Sequence, residues 1–216
     1  MNKILLSLLA SLSFSLLAHG VAQASPAAPV NGTDYATLSK PQATDSTGKV
    51  EVTEFFWYGC PHCNALEPAL EAWVKKLPGD VVFKRIPVAF RDDFVPHQRL
   101  YYTLEAMGKL EELHAKVFHA IHVDKNNLIN LDQQAEFAEK NGLDKKKFIE
   151  TYNSFSVQSK VQRARQLTAN YAVDGVPMMA VDGRFTTSAS MTGNNDNLLI
   201  VTDNLVKLAR GNGKAK

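Results

Sequence analysis

The sequence predicts a mixed α/β fold in which a helical block interrupts a sheet. Strand-like segments at 50–58 and 81–88 flank a segment with helical periodicity. Helical spacing then continues from about 95 to 170, and a predicted hairpin and a closing helix follow it. Because strand-like segments lie on both sides of the helical block, we interpret that block as an insertion rather than a tail.

Length and composition fit one ordinary globular domain, with or without an insertion. The chain has 216 residues, of which 45% are hydrophobic, and its formal net charge is +2. This charge is too close to balance to indicate a nucleic acid or an anionic surface as the partner. With two cysteines, the chain cannot form a disulfide-rich scaffold.

The N-terminal segment 1–24 is predicted to be a cleaved signal peptide. Lys3 is the lone charge before an apolar stretch at 4–18, and the Ala-Gln-Ala run at 22–24 fits the small-x-small cleavage pattern. The apolar stretch is short for a membrane-spanning helix, although an uncleaved anchor is the alternative. We therefore expect the mature protein to begin near Ser25 and to work in an oxidising compartment, where a close cysteine pair can stay oxidised.

Two strands and a helix are predicted after a short edge strand at 35–38. The segment 50–58 is rich in β-branched and aromatic residues, and it becomes continuously apolar at its end, as in a strand covered on both faces. Glu54 is out of place there, because a carboxylate in a central strand is costly unless it is paired or protonated. A helix is expected over 64–77 and the second strand over 81–88.

The helical block and the C-terminal part follow. Within the block, Asp132 is predicted to cap one helix and Asp144 to start the next. The remaining expected elements are a strand at 178–181, a two-residue turn at Asp182-Gly183, a returning strand at 184–187 and a closing helix at 194–210.

The cysteines define the candidate site. Cys60 and Cys63 are the only cysteines in the chain, and a glycine that ends the first strand precedes them directly. Cys60 falls at a helix N-cap, and Pro61 takes the first helical position, where its missing N–H costs nothing. The N–H groups of His62 and Cys63 can then point at the Cys60 sulfur, and the helix dipole adds partial positive charge. Both effects favour the thiolate, so Cys60 is predicted to be the exposed attacking sulfur and Cys63 the shielded resolving one.

His62 adds a third effect at the same sulfur. As an imidazolium or as a neutral donor, His62 can stabilise the Cys60 thiolate and with it the reduced form of the pair. A pair whose reduced form is stabilised is a stronger oxidant, so it should give its disulfide away. The alternative for His62 is an exposed turn residue with no electrostatic role.

Other uses of the cysteine pair fit the sequence less well. A c-type haem site requires a histidine after the second cysteine, and Asn64 stands there. A zinc site requires about four ligands, whereas His114, His119 and His122 share one predicted helix whose surface we interpret as solvated. A structural disulfide is the main alternative, although so short a loop would add little stability. We therefore expect neither a metal nor another cofactor.

At these residues the chain resembles the DsbA family of periplasmic thiol:disulfide oxidoreductases, within the thioredoxin superfamily. The resemblance is carried by the Pro-His dipeptide between the cysteines, the Phe-Phe-Trp-Tyr-Gly run at 55–59 and the Gly-Val-Pro loop at 175–177. It covers essentially the whole mature chain and implies a periplasmic protein. It also implies a thioredoxin-like fold with core parts at 25–91 and 171–216 and an inserted all-helical domain at 92–170.

The resemblance implies roles for residues around the dithiol. Cys60 takes the position of the nucleophile and Cys63 that of its partner. Pro177 takes the position of a cis-proline beside them. With Val176, Pro177 would leave backbone groups unpaired, onto which an extended substrate peptide could pair as an added strand.

Glu54 matches a buried acidic position behind the active site of that family. It could take or relay the proton of Cys63, with Arg85 or Lys84 on the neighbouring strand as its counter-charge. The family pattern has lysine where this chain has Arg85. Because arginine does not release its proton, a relay would have to use Glu54 and water. A structural ion pair is the alternative role of Glu54.

These observations predict an enzyme that donates its Cys60–Cys63 disulfide to unfolded or reduced exported proteins. The resemblance implies a quinone-linked membrane partner of the DsbB kind for reoxidation, and we expect the protein itself to be a monomer. An isomerase or reductase is the rival within this class of enzyme. A binding protein or chaperone whose disulfide is inert is the rival outside it.

Overall fold

The computed structural model describes residues 27–213, and the predicted signal peptide lies outside this range. Its strands are β1 Ala36–Thr37, β2 Val50–Phe56, β3 Val81–Pro87, β4 Met178–Val181 and β5 Phe185–Ser188. Its α-helices are α1 Pro61–Val74, α2 Val95–Ala106, α3 Leu110–His122, α4 Leu131–Lys140, α5 Lys145–Tyr152, α6 Phe155–Asn170, α7 Ala189–Thr192 and α8 Asn195–Gly213. The predicted mixed α/β fold class is confirmed.

The strands form one mixed sheet in the order β1-β5-β4-β2-β3. Strand β3 runs parallel to β2, whereas β4 is antiparallel to both β2 and β5, and β1 pairs with β5 at the edge. Every residue of β2 is buried, because β2 has a strand on each side and belongs to both hydrophobic clusters of the protein. The strand that carries Glu54 is therefore a central one, as predicted.

Five helices, α2 to α6, lie between β3 and β4 in the chain, where continuous helical spacing was predicted. They share one hydrophobic cluster with Phe55 and Phe56 of β2. Helices α1 and α8 share the other cluster with Val50 and Val52. The dithiol segment thus lies at a junction between the sheet and the helical block. Between residues 27 and 213, no helix is long and apolar enough to span a membrane.

The start of α4 differs from the prediction. Asp132 lies inside the helix, and Asn130 is the N-cap, where its side chain accepts the N–H of Gln133 at 3.0 Å. The Gln133 side chain in turn accepts the N–H of Ile129 at 3.0 Å. This reciprocal pair of bonds satisfies two free N–H groups at once, which explains why Asn130 rather than Asp132 caps the helix.

The hairpin turn is also one residue longer than predicted. Strand register pairs Val181 with Phe185, so three residues connect β4 to β5. Asp182 and Gly183 nevertheless have φ values of 54° and 64°, in the left-handed region that the predicted turn requires. The N–H of Arg184 still bonds to the carbonyl of Val181 at 3.0 Å. The sequence therefore predicted the tight turn but not the extra residue.

Candidate active site

Cys60 is the N-cap residue of α1 and Pro61 is its first residue, as the spacing predicted. Strand β2 ends at Phe56, and the N–H of Cys60 bonds to the carbonyl of Trp57 at 2.9 Å, which closes the turn into the helix. Gly59 lies within this turn, and a Cβ atom at its position would come within 2.3 Å of the Trp57 ring. The ring of Trp57 therefore leaves no room for a side chain at residue 59.

The two sulfurs lie in different surroundings. The N–H of Cys63 donates to Cys60 Sγ at 3.4 Å, and both cysteines are free thiols. Cys63 is 0% exposed, as predicted for a shielded partner. Cys60 was predicted to be exposed, but only 7% of its surface is accessible. Its Sγ lies 3.4 Å from the carbonyl oxygen of Val176, whose loop covers it. Cys60 is still the more accessible sulfur of the two.

The same contacts separate the acidities of the two thiols. The pKa of Cys60 is lowered to about 6, because its contacts together outweigh burial. These contacts are the hydrogen bond with the Cys63 side chain, the N–H groups of Cys63 and His62, and the charge of His62. Burial and the hydrogen bond with Cys60 raise the pKa of Cys63 far above its ordinary value. At pH 7 the reduced pair therefore consists of a thiolate at Cys60 and a thiol at Cys63.

The Val176–Pro177 peptide bond is cis, as the resemblance implied. Tertiary folding brings this loop against Cys60, 116 positions away in the sequence. The loop and the exposed His62 side chain line a groove of about 730 Å³. The structure thus places four of the predicted site residues side by side: Cys60, His62, Val176 and Pro177.

Glu54 lies in a buried cluster of charged groups. It is 0% exposed, and its Oε2 accepts a hydrogen bond from Arg85 Nε at 3.1 Å. Arg85 is the register partner of Glu54 on β3, so the two side chains share one face of the sheet. Lys84 is on the opposite face and pairs instead with Glu51 at 2.7 Å. Of the two predicted counter-charges, the structure selects Arg85.

A second carboxylate, which the sequence reasoning missed, shares this guanidinium. Arg85 Nη2 donates to Glu67 Oε1 at 2.5 Å, and Glu67 is buried on α1. Burial and the charge of Glu67 raise the pKa of Glu54 to about 8 against the opposing effect of Arg85. Burial also raises the pKa of Glu67, but its contacts with His114 and Arg85 outweigh burial, so the pKa lies below its ordinary value. Near pH 7 the proton of this pair of carboxyl groups therefore resides on Glu54. The spacing of four residues between Cys63 and Glu67 on one helix could have indicated this neighbour.

The interpretation of His114 and His122 as part of a solvated helix surface was wrong. His114 is 3% exposed, and its Nδ1 lies 2.8 Å from the Tyr58 hydroxyl. His122 Nε2 bonds to the carbonyl of Tyr58 at 2.8 Å. Only His119 matches the interpretation, with 60% of its side chain exposed. Both of the other histidines face inward because the helical block packs on the segment before the cysteines. In the described part of the chain, no group of three or more acidic, cysteine or histidine side chains is arranged to hold a metal.

Comparisons with known proteins agree with this architecture. The family model of the DSBA-like thioredoxin domain matches residues 82–199. A thiol:disulfide interchange protein DsbA from Burkholderia cepacia is 50% identical over 208 residues, which cover 96% of this chain and 97% of that protein. The corresponding protein from Bordetella parapertussis is 44% identical over 187 residues, which cover 86% of this chain and 89% of that protein.

Solved structures are also similar to this chain. The crystal structure of Pseudomonas aeruginosa DsbA has a TM-score of 0.82 and 39% identity, and the match covers 85% of this chain and 95% of that chain. The oxidoreductase DsbA from Xylella fastidiosa has a TM-score of 0.80 and 30% identity, and the match covers 85% of this chain and 98% of that chain.

Proposed function

Because this chain belongs to the DsbA family of the thioredoxin superfamily, we propose that it is a thiol:disulfide oxidoreductase that donates a Cys60–Cys63 disulfide to exported proteins. The observation that carries the proposal is the asymmetry of the dithiol. The contacts of Cys60 lower its pKa to about 6, so the thiolate that forms on reduction is a stabilised one. A stabilised reduced form makes the disulfide form a good oxidant.

In the proposed reaction, a thiolate of the substrate attacks Cys60 Sγ of the disulfide form. The Cys60–Cys63 bond breaks, a bond between the substrate sulfur and Cys60 Sγ forms, and the electron pair of the broken bond goes to Cys63 Sγ. A second substrate thiolate then attacks the substrate sulfur of this mixed disulfide, and Cys60 leaves as a thiolate. The substrate loses two electrons and two protons and gains a disulfide, and the protein is left as the dithiol.

Glu54 is proposed to supply the proton that Cys63 takes up when the mixed disulfide forms. The high pKa of Cys63 makes its thiolate a strong base, and Glu54 is a neutral acid near pH 7. One of the two groups is ionised before and after the transfer, and the proton moves to Cys63 because the pKa of Cys63 lies far above that of Glu54. Because arginine keeps its proton, Arg85 acts as a fixed positive charge and not as a member of the relay.

The substrate is proposed to bind along the loop that covers Cys60. Pro177 has no N–H, and β4 begins only at Met178, so an extended peptide could pair with backbone groups at Val176. His62, Val176 and Pro177 line the groove beside this loop, and the carbonyl oxygen of Val176 lies 3.4 Å from Cys60 Sγ.

The proposed cellular setting is based on the family and on the predicted signal peptide. We propose that segment 1–24 is removed on export, that the protein works as a monomer in the periplasm, and that a quinone-linked membrane protein of the DsbB kind reoxidises the dithiol. Unfolded or reduced exported proteins are the proposed substrates. No cofactor is needed, because the dithiol carries the electrons itself.

The test is oxidation of a reduced, unfolded model protein by the disulfide form. The Cys60→Ser variant should lose this activity, since no mixed disulfide can form at serine. Cys63→Ser should lose it as well, because it cannot form the internal disulfide. When the Cys60 thiolate of Cys63→Ser instead attacks the disulfide of an oxidised substrate, one substrate thiolate leaves and the mixed disulfide should persist. Full activity of Cys60→Ser would exclude the proposal, and failure of the parent protein to oxidise the substrate would favour a binding protein or chaperone. The redox equilibrium with glutathione then separates an oxidant from a reductase or isomerase.

A further inference from the structure

We propose that His114 is a positioning residue of the redox site, which keeps Glu67 ionised and thereby leaves the proton of the buried cluster on Glu54. This inference rests on the proposed function, since it concerns how the same dithiol is tuned. His114 comes from α3 of the helical block, whereas Glu54 and Glu67 belong to the sheet and to α1.

The contacts of the imidazole define its orientation. Its Nδ1 lies 2.8 Å from the Tyr58 hydroxyl, and its Nε2 lies 3.3 Å from Glu67 Oε1. Burial raises the pKa of Tyr58 well above its ordinary value, so Tyr58 stays a phenol and can donate its proton. A lone pair on Nε2 would face the carboxylate oxygen of Glu67, so the contact with Glu67 favours the tautomer with its proton on Nε2. Nδ1 then accepts the hydroxyl proton of Tyr58, and the N–H dipole at Nε2 stabilises ionised Glu67.

Four aromatic rings hold His114 in this position. The ring centroids of Phe56, Tyr58, Tyr101 and Phe118 lie between 5.2 and 6.1 Å from that of the imidazole. Burial also lowers the pKa of His114, so the ring is neutral and acts through the dipole of its N–H rather than through a full charge. The titratable or charged groups that face His114 are Tyr58 before α1, Glu67 and Glu71 of α1, Arg85 of β3 and Tyr101 of α2.

The chain of contacts links His114 to the sulfurs. Arg85 donates to both carboxylates, so any loss of stabilisation at Glu67 makes Glu67 compete with Glu54 for the shared proton. A proton that moves to Glu67 leaves Glu54 ionised. Ionised Glu54 raises the pKa of Cys63 and repels a thiolate at Cys60. Loss of the His114 donor should therefore destabilise the reduced dithiol and weaken the oxidant.

Three variants test this inference. His114→Phe removes the donor, and His114→Gln keeps an N–H donor and an acceptor in a similar place. His119→Phe is the matched control, because His119 is an exposed residue of the same helix. The readouts are thiolate absorbance of the reduced protein against pH and the redox equilibrium with glutathione. Neither readout requires a protein substrate, so failure of the proposed function would not obscure them.

For His114→Phe we expect the titration midpoint of Cys60 to rise by about half a pH unit and the glutathione equilibrium to move about threefold toward the disulfide form. His114→Gln should recover most of both effects, and His119→Phe should match the parent protein. A folded His114→Phe variant with parental values would overturn the inference.

A measurement on the parent protein covers the case in which His114→Phe does not fold. Nitrogen NMR of the labelled imidazole should show a protonated Nε2 and an unprotonated Nδ1 at neutral pH. The opposite tautomer would overturn the inference without any variant.

Discussion

Replacement of Glu54 by glutamine should raise the free energy of unfolding above pH 4.5 if Glu54 is a neutral acid. It should lower the free energy of unfolding if Glu54 is the ionised partner in a structural ion pair. The pKa of Glu54 rises from an ordinary value of 4.5 to about 8 in the folded protein, with burial as the main cause. A carboxyl group with a raised pKa holds its proton more tightly in the folded state. The contribution of protonated Glu54 to the free energy of unfolding is complete below pH 4.5 and is lost as the pH rises toward 8.

The size of this loss follows from the pKa difference. At about 1.4 kcal/mol for each pH unit, the range from 4.5 to about 8 corresponds to about 5 kcal/mol. Glutamine resembles the neutral acid and can still accept the hydrogen bond that Arg85 Nε donates to Glu54 Oε2. Glu54→Gln should therefore match the parent protein near pH 4.5 and exceed its stability by an amount that approaches this value near pH 8.

The assay is urea unfolding of both proteins under reducing conditions at a series of pH values. Only the difference between the two proteins is interpreted, so the other titrating groups cancel. If Glu54 is instead a partner in a structural ion pair, its pKa is lowered, and glutamine would cost stability that grows as the pH rises. That opposite sign, or a difference that does not change with pH, would refute the reasoning.

Glu51→Gln is the matched control for this experiment. Glu51 is a buried residue of the same strand, and it pairs with Lys84 and accepts a hydrogen bond from Ser46 at 2.9 Å. Its replacement removes the charge that pairs with Lys84, while the amide oxygen can still accept from Ser46. Glu51→Gln should therefore lower stability at neutral pH, in contrast to Glu54→Gln.

Two further predictions concern the thiol and a helix cap. Thiolate absorbance of the reduced protein should titrate with a midpoint near pH 6, so that thiolate exceeds thiol about tenfold at pH 7; a midpoint near that of a free thiol, 9.0, would remove the basis for an oxidant. Asn130→Ala should cost about 1 kcal/mol in urea unfolding, because it removes the N-cap of α4, whereas Asp132→Ala leaves this bond intact. Equal losses in the two variants would contradict the assigned cap.

The sequence alone determined the features that depend on near neighbours. The order of strands and helices follows from periodicity, and the N-cap position of Cys60 follows from the strand-ending glycine and from Pro61. The presence of an acidic residue in a central strand was also visible, because Glu54 interrupts an otherwise apolar pattern. Even the choice of Arg85 over Lys84 depends on alternation along one strand, once the register is known.

Tertiary structure decided which distant residues meet at the dithiol. The loop at Val176 covers Cys60 and leaves it far less exposed than predicted. Glu54 and Glu67 bind one guanidinium, and His114 lies against Glu67. Nothing in the local sequence distinguishes His114 from the exposed His119 on the same helix. The difference is the face that α3 turns toward the segment before the cysteines, since residues five positions apart point in different directions from the helix axis. Burial on that face, and not the identity of the residue, makes His114 part of the site and shifts the pKa values around it.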